Sequence, residues 1–354
     1  HAPDPNPSDR PGRWVGESNW PTTSVKKQIL WLGNNSLCSE PAKVGTTSLV
    51  KSPNSTGLCS GEYMPWSGTA ELPHDQRTDD SKSVCFDSDF LDKPLELLGT
   101  SFLHLKISSD KECGMICVRL CDLSPDGSST LISYGILNLR LRNGRECIAD
   151  VKANDLINVT VRLNDTGWRL KKGHRLRLAL SNQMWPMAWP ISEVAAITVY
   201  MDSSRLEIPV RTPTDKEKCF TQLEHAEAAD APPHTILRDP SGSRIITSDI
   251  KTGDIRYEIE TDGGEVKFEK SGLIYGSTNE QRYVINDGSS CSAKAEYRAK
   301  FSFSRGKWCA STESELIVTC DEEHFFLRGR ISAYEDDTKI FGKNWDIKIP
   351  RDVY

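Results

Sequence analysis

Apolar and polar residues alternate with a period of two along much of this chain, and this pattern limits the fold more than any other feature. The alternation is clear at 102–107 and again at 116–120. It is typical of antiparallel strands that are buried on one side. Pro125, Asp126 and Gly127 then predict a tight turn, because proline presets φ, aspartate bonds nearby backbone and glycine accepts positive φ. Residues 95–143 therefore predict a β-meander within a larger sheet assembly.

The segment before this meander is less regular. Val25–Leu32 is predicted to be the first strand. Residues 33–83 are rich in Ser, Thr, Gly and Pro and show little periodicity. Since a structureless span of this length is unusual inside a compact domain, we interpret it as a long excursion. We expect it to pack over a sheet face and to be held there by Tyr63, Met64 and Trp66.

Short predicted strands continue to Ile208 without convincing helices. In the strand at 175–181, the three leucines are expected to face inward and the two arginines outward. This predicts an all-β fold, with a two-sheet sandwich of jelly-roll type over residues 14–208. Residues 1–13 carry four prolines and are interpreted as a linker.

A second unit is predicted after a proline-punctuated connector at 209–240. In residues 241–354 the period of two returns, as where Ile255, Tyr257 and Ile259 alternate with charged residues. This predicts an antiparallel β-meander domain with one polar face. Its other face is expected to be buried on a second sheet, or inside a barrel-like curl.

Composition excludes several classes of function. At 354 residues the chain has room for two domains, and its net charge of −6 offers no basic field to nucleic acid. The most apolar stretch, 184–201, is interrupted by two prolines and a glutamate, which argues against a membrane span. The eleven cysteines form no CxxC pair, so we expect free thiols in a reducing compartment and a cytoplasmic location.

The sequence lacks the usual nucleophile elbow, Gly-x-Ser-x-Gly. Residues 57–61 come closest, but their central residue is Cys59 and we interpret them as a loop turn. No βαβ pattern is present, none of the seven histidines is singled out, and His174 is assigned to a turn. No catalytic residue is predicted within this chain.

Two patterns invite a metal interpretation. Cys113, Cys117 and Cys121 would share one face of a strand, but four strand residues span about 13 Å, too far for one zinc ion. Residues 122–127 begin like a calcium loop, yet the twelfth position is Ser133 and Pro125 lies inside. We interpret the first as half-buried side chains and the second as a hairpin turn. No metal or cofactor is predicted, although a structural cation in a loop stays open.

An aromatic, proline-bounded loop follows the strand at 175–181. Met184, Trp185 and Trp189 could line an acyl or sugar pocket, or the loop could pack and dock onto a neighbouring domain. With Trp66, these residues are the candidates for a substrate pocket or a domain-docking surface.

Five segments occur in an order that resembles one known module. They are His74–Arg77, Phe86–Leu91, Leu95–Gly99, Leu120–Gly127 and Gly173–Leu178. The module is the C-terminal β-sandwich of X-Pro dipeptidyl-peptidase and cocaine-esterase (CocE/NonD) type serine hydrolases, and the resemblance covers roughly Trp14 to Ile208. It implies a galactose-binding-like jelly roll.

In that family an α/β-hydrolase domain with a Ser–Asp–His triad precedes the sandwich. The resemblance therefore implies a non-catalytic C-terminal region that covers and shapes the substrate pocket of a catalytic domain absent from this chain. That domain, of the esterase or X-Pro dipeptidyl-peptidase class, would belong to the same parent chain or to a separate subunit. The alternatives are a carbohydrate-binding jelly-roll module and an oligomerisation module that pairs copies of the chain.

Overall fold

The computed structural model describes residues 12–64, 71–213 and 227–352. Its internal contacts divide the chain into two compact units, one ending at Glu224 and the other spanning His225–Asp352. We call them unit 1 and unit 2. Strands dominate both units, and no helix among the described residues is long and apolar enough to cross a bilayer. The all-β prediction is confirmed.

Unit 1 contains two antiparallel sheets. The larger sheet has eight strands: β1 (Val25–Leu32), β2 (Leu37–Cys38), β3 (Thr47–Val50), β5 (Leu95–Gly99), β6 (Phe102–Ser109), β9 (Ile157–Arg162), β10 (Thr166–Leu170) and β12 (Ile197–Arg211). The smaller sheet has four strands, in the order β4 (Val84–Asp87), β11 (Arg175–Ser181), β7 (Met115–Leu123) and β8 (Ser129–Asn138). The long β12 is the centre of the larger sheet, because β1, β3, β5 and β6 all pair with it.

The main core lies between these two sheets, as expected of a sandwich. Alternate residues of β6 and β12 supply one side, and alternate residues of β7 and β11 supply the other. Leu176, Leu178 and Leu180 are at most 1% exposed, which confirms that they face inward. The predicted bounds of β1 are those observed. The predicted turn at 125–127 is also confirmed, with Gly127 at φ +88°.

The outer face of the smaller sheet is covered as well. In β7, not only Ile116, Val118 and Leu120 but also the intervening residues Met115 to Asp122 are buried. The prediction of strands buried on one side is therefore wrong for β7. A layer built from the excursion and the aromatic loop lies over this outer face, so that Arg119 is buried although it points away from the main core.

The excursion differs from the predicted one in two respects. It contains β2, β3 and a single helical turn, α1 (Arg77–Asp80). Tyr63 and Met64 do not pin it, because they are 79% and 72% exposed. Trp66 lies outside the described residues. Polar residues hold the excursion instead.

Unit 2 is one antiparallel sheet of eight strands. The strands are β13 (His234–Arg238), β14 (Ser241–Ser248), β15 (Asp254–Phe268), β16 (Leu273–Asn286), β17 (Ser289–Arg305), β18 (Trp308–Cys320), β19 (His324–Glu335) and β20 (Thr338–Pro350). β15 to β20 form a meander in chain order, and β13 and β14 both pair with β15. The predicted meander is confirmed, and β13 begins within the stretch that the sequence assigned to a connector.

The two faces of the unit 2 sheet have opposite character. One face, the charged face, carries cross-strand ion pairs such as Arg282–Glu258 at 2.6 Å, Arg298–Glu315 at 3.0 Å and Lys300–Glu313 at 3.2 Å. The other, the apolar face, carries stacked rings such as Tyr257 on Tyr283 and Tyr275 on Phe301. The expected second sheet is not formed by the described residues of this unit, and no strand pairing joins β20 to β13 or β14 to close a barrel.

Glu17 ties the N-terminal segment of unit 1 to the end of β12. Its carboxylate accepts hydrogen bonds from Thr22 Oγ1 at 2.6 Å, Ser24 Oγ at 2.7 Å and Arg211 Nε at 2.7 Å. The hydroxyls of Thr22 and Ser24, and then Arg211, hold the pKa of Glu17 at about 2 despite partial burial. A carboxyl whose pKa is depressed in the folded state stabilises that state above its unfolded pKa and loses the effect as pH falls.

We therefore expect Glu17→Gln to lower the free energy of unfolding of unit 1 by about 1 kcal/mol at neutral pH. The difference from wild type should shrink as pH falls from 4.5 towards 2. Urea unfolding at a series of pH values measures both. A deficit that is the same at pH 7 and at pH 2 would contradict this role for the Glu17 carboxylate.

Candidate functional site

The aromatic loop between β11 and β12 is largely internal. Met184 and Trp185 are each 1% exposed, whereas Met187 and Trp189 are half-buried. The indole rings of Trp185 and Trp189 meet edge to face at a centroid distance of 5.2 Å. Met184 belongs to a small apolar cluster with Met115, Cys117 and Ile191 on the outer face of the smaller sheet. Of the predicted site residues that the structure describes, Trp189 is therefore the most accessible.

A backbone contact joins this loop to the excursion. The Trp185 amide donates to the Thr56 carbonyl at 2.7 Å. Next to it, Gly57 has φ +111°, and a Cβ at this position would lie 2.7 Å from two backbone atoms of Met184. Only glycine fits so close an approach in this conformation. The loop and the excursion thus form one continuous layer over the sheet.

A buried polar network holds this layer to the sheet. Arg119, which is 1% exposed, forms an ion pair with Asp80 at 2.9 Å. It donates hydrogen bonds to Gln76 Oε1 at 2.9 Å and Ser83 Oγ at 3.0 Å. Arg177 on β11 also reaches Asp80, at 3.1 Å. Gln76, Asp80 and Ser83 belong to the excursion. The buried charge of Arg119 on β7 is therefore paired with side chains of the excursion.

The network extends in both directions. Asp79 accepts hydrogen bonds from the amides of Gly57 and Cys59 at 3.0 and 2.9 Å, which shapes the preceding turn. Arg177 binds both oxygens of Asp87 on β4, at 2.7 and 2.8 Å. Burial opposes ionisation of Asp87, but hydrogen bonds from Arg177 and Arg175 hold the pKa of its carboxyl below the usual value. The charged groups are thus paired with each other, as buried ions must be.

These contacts explain what several of the sequence motifs do. Gln76 comes from the segment His74–Arg77, Asp87 from Phe86–Leu91 and Arg177 from Gly173–Leu178. The motifs are distant in sequence, yet they meet on the outer face of the smaller sheet. They stabilise the fold, and none of them supplies a nucleophile at this place.

The thiols near this network have low reactivity. Burial, and then the charge of Asp79, raises the pKa of Cys59 to about 12. Burial likewise raises the pKa of Cys85 to about 11 and that of Cys121 to about 12. A thiol with a raised pKa is a poor nucleophile and a poor metal ligand at neutral pH. Among the described residues, no group of three or more His, Cys, Asp or Glu side chains is placed to hold a metal ion.

The imidazole of His174 contacts the carboxylate of Asp122. Its Nδ1 is 2.7 Å from Asp122 Oδ1, and the other oxygen of Asp122 accepts a hydrogen bond from Trp168 Nε1 at 3.0 Å. Asp122 lies on β7 and Trp168 on β10, so the cluster links the smaller sheet to the larger one. The main-chain carbonyl of His174 also accepts a hydrogen bond from Leu91. The contacts seen here suit the predicted turn and include no serine.

Unit 2 contains a groove that the sequence reasoning missed. It is a depression of about 520 Å³ on the apolar face, crossing strands β16 to β20. Its lining includes Tyr297, Leu316, Leu327, Trp345 and Ile347. A signal was present in the sequence, since these strands are 12–17 residues long and apolar residues recur at alternate positions of β17, β19 and β20.

Comparison with known proteins identifies the family. The model of the X-Pro dipeptidyl-peptidase C-terminal non-catalytic domain matches residues 4–237. The chain belongs to this family. Its resemblance to the CocE/NonD and X-Pro dipeptidyl-peptidase hydrolases, first seen in five sequence motifs, is thereby confirmed. The match ends within β13, so most of unit 2 lies beyond the X-Pro dipeptidyl-peptidase C-terminal domain.

Two relatives of this chain are longer proteins that contain a similar domain. Cocaine esterase of Rhodococcus sp. (strain MB1 Bresler) is 24% identical over 186 residues, which is 49% of this chain and 32% of the esterase. This chain thus spans about a third of the length of that relative. The crystal structure of an aminopeptidase from a marine sediment Thaumarchaeota archaeon superposes with a TM-score of 0.51 at 17% identity, covering 56% of this chain and 39% of that one. This second likeness shows the fold alone.

Proposed function

We propose that this chain is the non-catalytic C-terminal region of an α/β-hydrolase-type serine hydrolase, of the esterase or X-Pro dipeptidyl-peptidase class. It covers and shapes the substrate pocket of a catalytic domain that lies outside this chain. The observation that carries the proposal is the match of residues 4–237 to a domain described as non-catalytic. The cocaine esterase relative, which is longer than this chain, supports the class of parent enzyme.

The aromatic loop is the surface that we assign to this role. Its base is rigid, because Met184 and Trp185 are buried and Trp185 is bonded to the excursion. Its outer part presents Met187 and Trp189, which are half-buried and apolar. A partly exposed aromatic residue on a rigid base is well suited to fix a neighbouring domain or to line a pocket.

The carbohydrate-binding alternative has less support. It depends on clustered tryptophans, and sugar binding uses the exposed face of an aromatic ring. Trp185 is 1% exposed and offers no such face. A cytoplasmic location remains part of the proposal, and it rests on the cysteine content of the sequence.

The proposal is tested by comparing the full natural reading frame that contains this chain with the chain alone. Both are treated with a fluorophosphonate that labels activated serines and are assayed on p-nitrophenyl esters and X-Pro p-nitroanilides. We expect the full product to be labelled and active, and the chain alone to be neither. Fluorophosphonate-sensitive hydrolysis by the chain alone would overturn the non-catalytic assignment. A full product without a reactive serine would overturn a catalytic domain in the same parent chain.

The role of the loop is tested in the same full product. We expect Trp189→Ala to lower kcat/KM by about 10–100-fold, because small displacements of positioning groups cost rates of this order. Trp14→Ala removes an indole that is 75% exposed and serves as the matched control. Thermal unfolding establishes that both variants are folded. An unchanged kcat/KM for Trp189→Ala would remove the loop from the pocket or from the domain contact.

A further inference from the structure

Among the described residues of unit 2, no second layer covers the apolar face of its sheet. Five of its large side chains are between 36% and 43% exposed: Tyr297, Leu316, Trp345, Ile347 and Ile349. They lie on neighbouring strands, since Tyr297 pairs with Leu316 and Gly329 pairs with Trp345 across the sheet. A sheet with one apolar face is stable when a second layer covers that face.

We propose that a second copy of this chain provides the layer, so that two unit 2 sheets pack face to face about a two-fold axis. The proposal goes beyond the proposed function and does not depend on it. Three properties of the apolar face favour a second copy as its occupant: its size, its relief and its lack of charge.

The size suits a stable dimer. β18 has 13 residues, which at about 3.4 Å per residue gives a length of roughly 44 Å. Four strands from β17 to β20, about 4.8 Å apart, give a width of roughly 19 Å. The resulting area of roughly 800 Å² is what each partner buries in a standard specific interface.

The shape of the apolar face allows a second copy of the same face to fit against it. The small residues Ala299, Ser314 and Gly329 line the groove together with larger apolar side chains. A Cβ at Gly329 would lie 3.3 Å from Cε3 of Trp345, because the indole leans over this glycine. A two-fold axis places the same surface on both partners. The raised side chains of one copy can then enter the depression of the other.

The apolar face has almost no charge. On the stretches that β17 to β20 contribute (295–303, 312–318, 325–333 and 341–349), only Lys343 is both charged and directed to this face. Lys343 lies on the edge strand, with Nζ 5.1 Å from the ring centre of Trp345. A surface that meets its own copy brings like charges together, so an uncharged face avoids repulsion.

The edge of the sheet is protected against a different kind of pairing. All thirteen residues of β20 are exposed, and this strand is the last in the sheet. It carries Lys339, Lys343 and Lys348. Lysines on an exposed edge oppose strand-to-strand addition of another chain. We therefore assign the contact between copies to the apolar face rather than to the edge.

Light scattering after size exclusion, run over a concentration series on the whole chain, tests the proposal. We expect a mass twice the 39.6 kDa of one chain. Leu316→Lys should raise the dimer dissociation constant by about 30-fold or more, since it places a charge at the centre of the contact. Ile317→Lys is the matched control. It changes the next residue on the same strand, whose partners Glu296 and Arg328 lie on the charged face, and it should leave the dimer intact.

Trp345→Ala is a milder second variant, which decides the matter if circular dichroism shows that Leu316→Lys is unfolded. It should also shift the mass towards that of one chain. A wild-type mass of 39.6 kDa at every concentration would overturn the proposal and would leave the face to another domain. Retention of the doubled mass by both apolar-face variants, or its loss in Ile317→Lys, would overturn it as well.

Discussion

Replacing Arg119 with alanine is expected to lower the free energy of unfolding of unit 1 by about 3–5 kcal/mol. The guanidinium is buried and contacts Asp80, Gln76 and Ser83, all of which belong to the excursion. Its removal leaves the charge of Asp80 without its most buried partner, and an unpaired buried charge is the costly case. The loss should therefore affect the fold of the covering layer as well as total stability.

Urea unfolding followed by tryptophan fluorescence and far-UV circular dichroism measures this effect. Arg298→Ala is the control, because Arg298 also pairs with a glutamate but its side chain is 52% exposed. It should cost less than about 1 kcal/mol. Arg119→Lys should fall between the two, since an ammonium lacks the planar fork that reaches several acceptors at once. A cost below about 1 kcal/mol for Arg119→Ala would show that the network does not hold the excursion.

Replacing Gly57 with alanine is expected to cost about 2–6 kcal/mol, the sum of two unfavourable effects. The residue has φ +111°, a conformation that costs other residue types about 1–3 kcal/mol. The new methyl group would also lie within 3 Å of backbone atoms of Met184 and Trp185, which cannot move as a side-chain end can. Overpacking of this kind adds about 1–3 kcal/mol.

Gly127→Ala separates the two effects. Gly127 has φ +88° but no atom within 4 Å of the new methyl position, so its substitution reports backbone strain alone. We expect it to cost about 1–2 kcal/mol. Thermal or urea unfolding compares the two variants directly. Equal costs for Gly57→Ala and Gly127→Ala would mean that the excursion and the aromatic loop can separate without penalty.

Individual elements show how far the sequence could lead. The bounds of β1 and the inward leucines of β11 follow from local pattern, because successive strand residues point to opposite sides. The turn at 125–127 follows from residue chemistry. The attachment of the excursion was predicted wrongly, since exposed Tyr63 and Met64 were chosen and buried Gln76 and Asp79 were not. Polar residues give no periodic signal that marks them as buried.

The candidate site shows the same limit. Met184, Trp185 and Trp189 were recognised as a cluster, and they do lie together. Their unequal burial was not predictable, because the layer that covers Trp185 comes from residues around Thr56, well over a hundred positions earlier in the chain. The groove of unit 2 was not predicted, because we assumed a covering layer that the described residues of this unit do not form. Its strands do predict an apolar face.

The all-β class, the positions of many strands and the family resemblance were determined by the sequence alone, since each rests on neighbouring residues or on motif order. Only the tertiary structure decided which faces of the sheets are covered. It showed β7 buried on both sides and β20 exposed along its whole length although it carries Trp345, Ile347 and Ile349. The physical reason is that alternation reports the side of the strand to which a residue points. Burial depends on what distant segments place there.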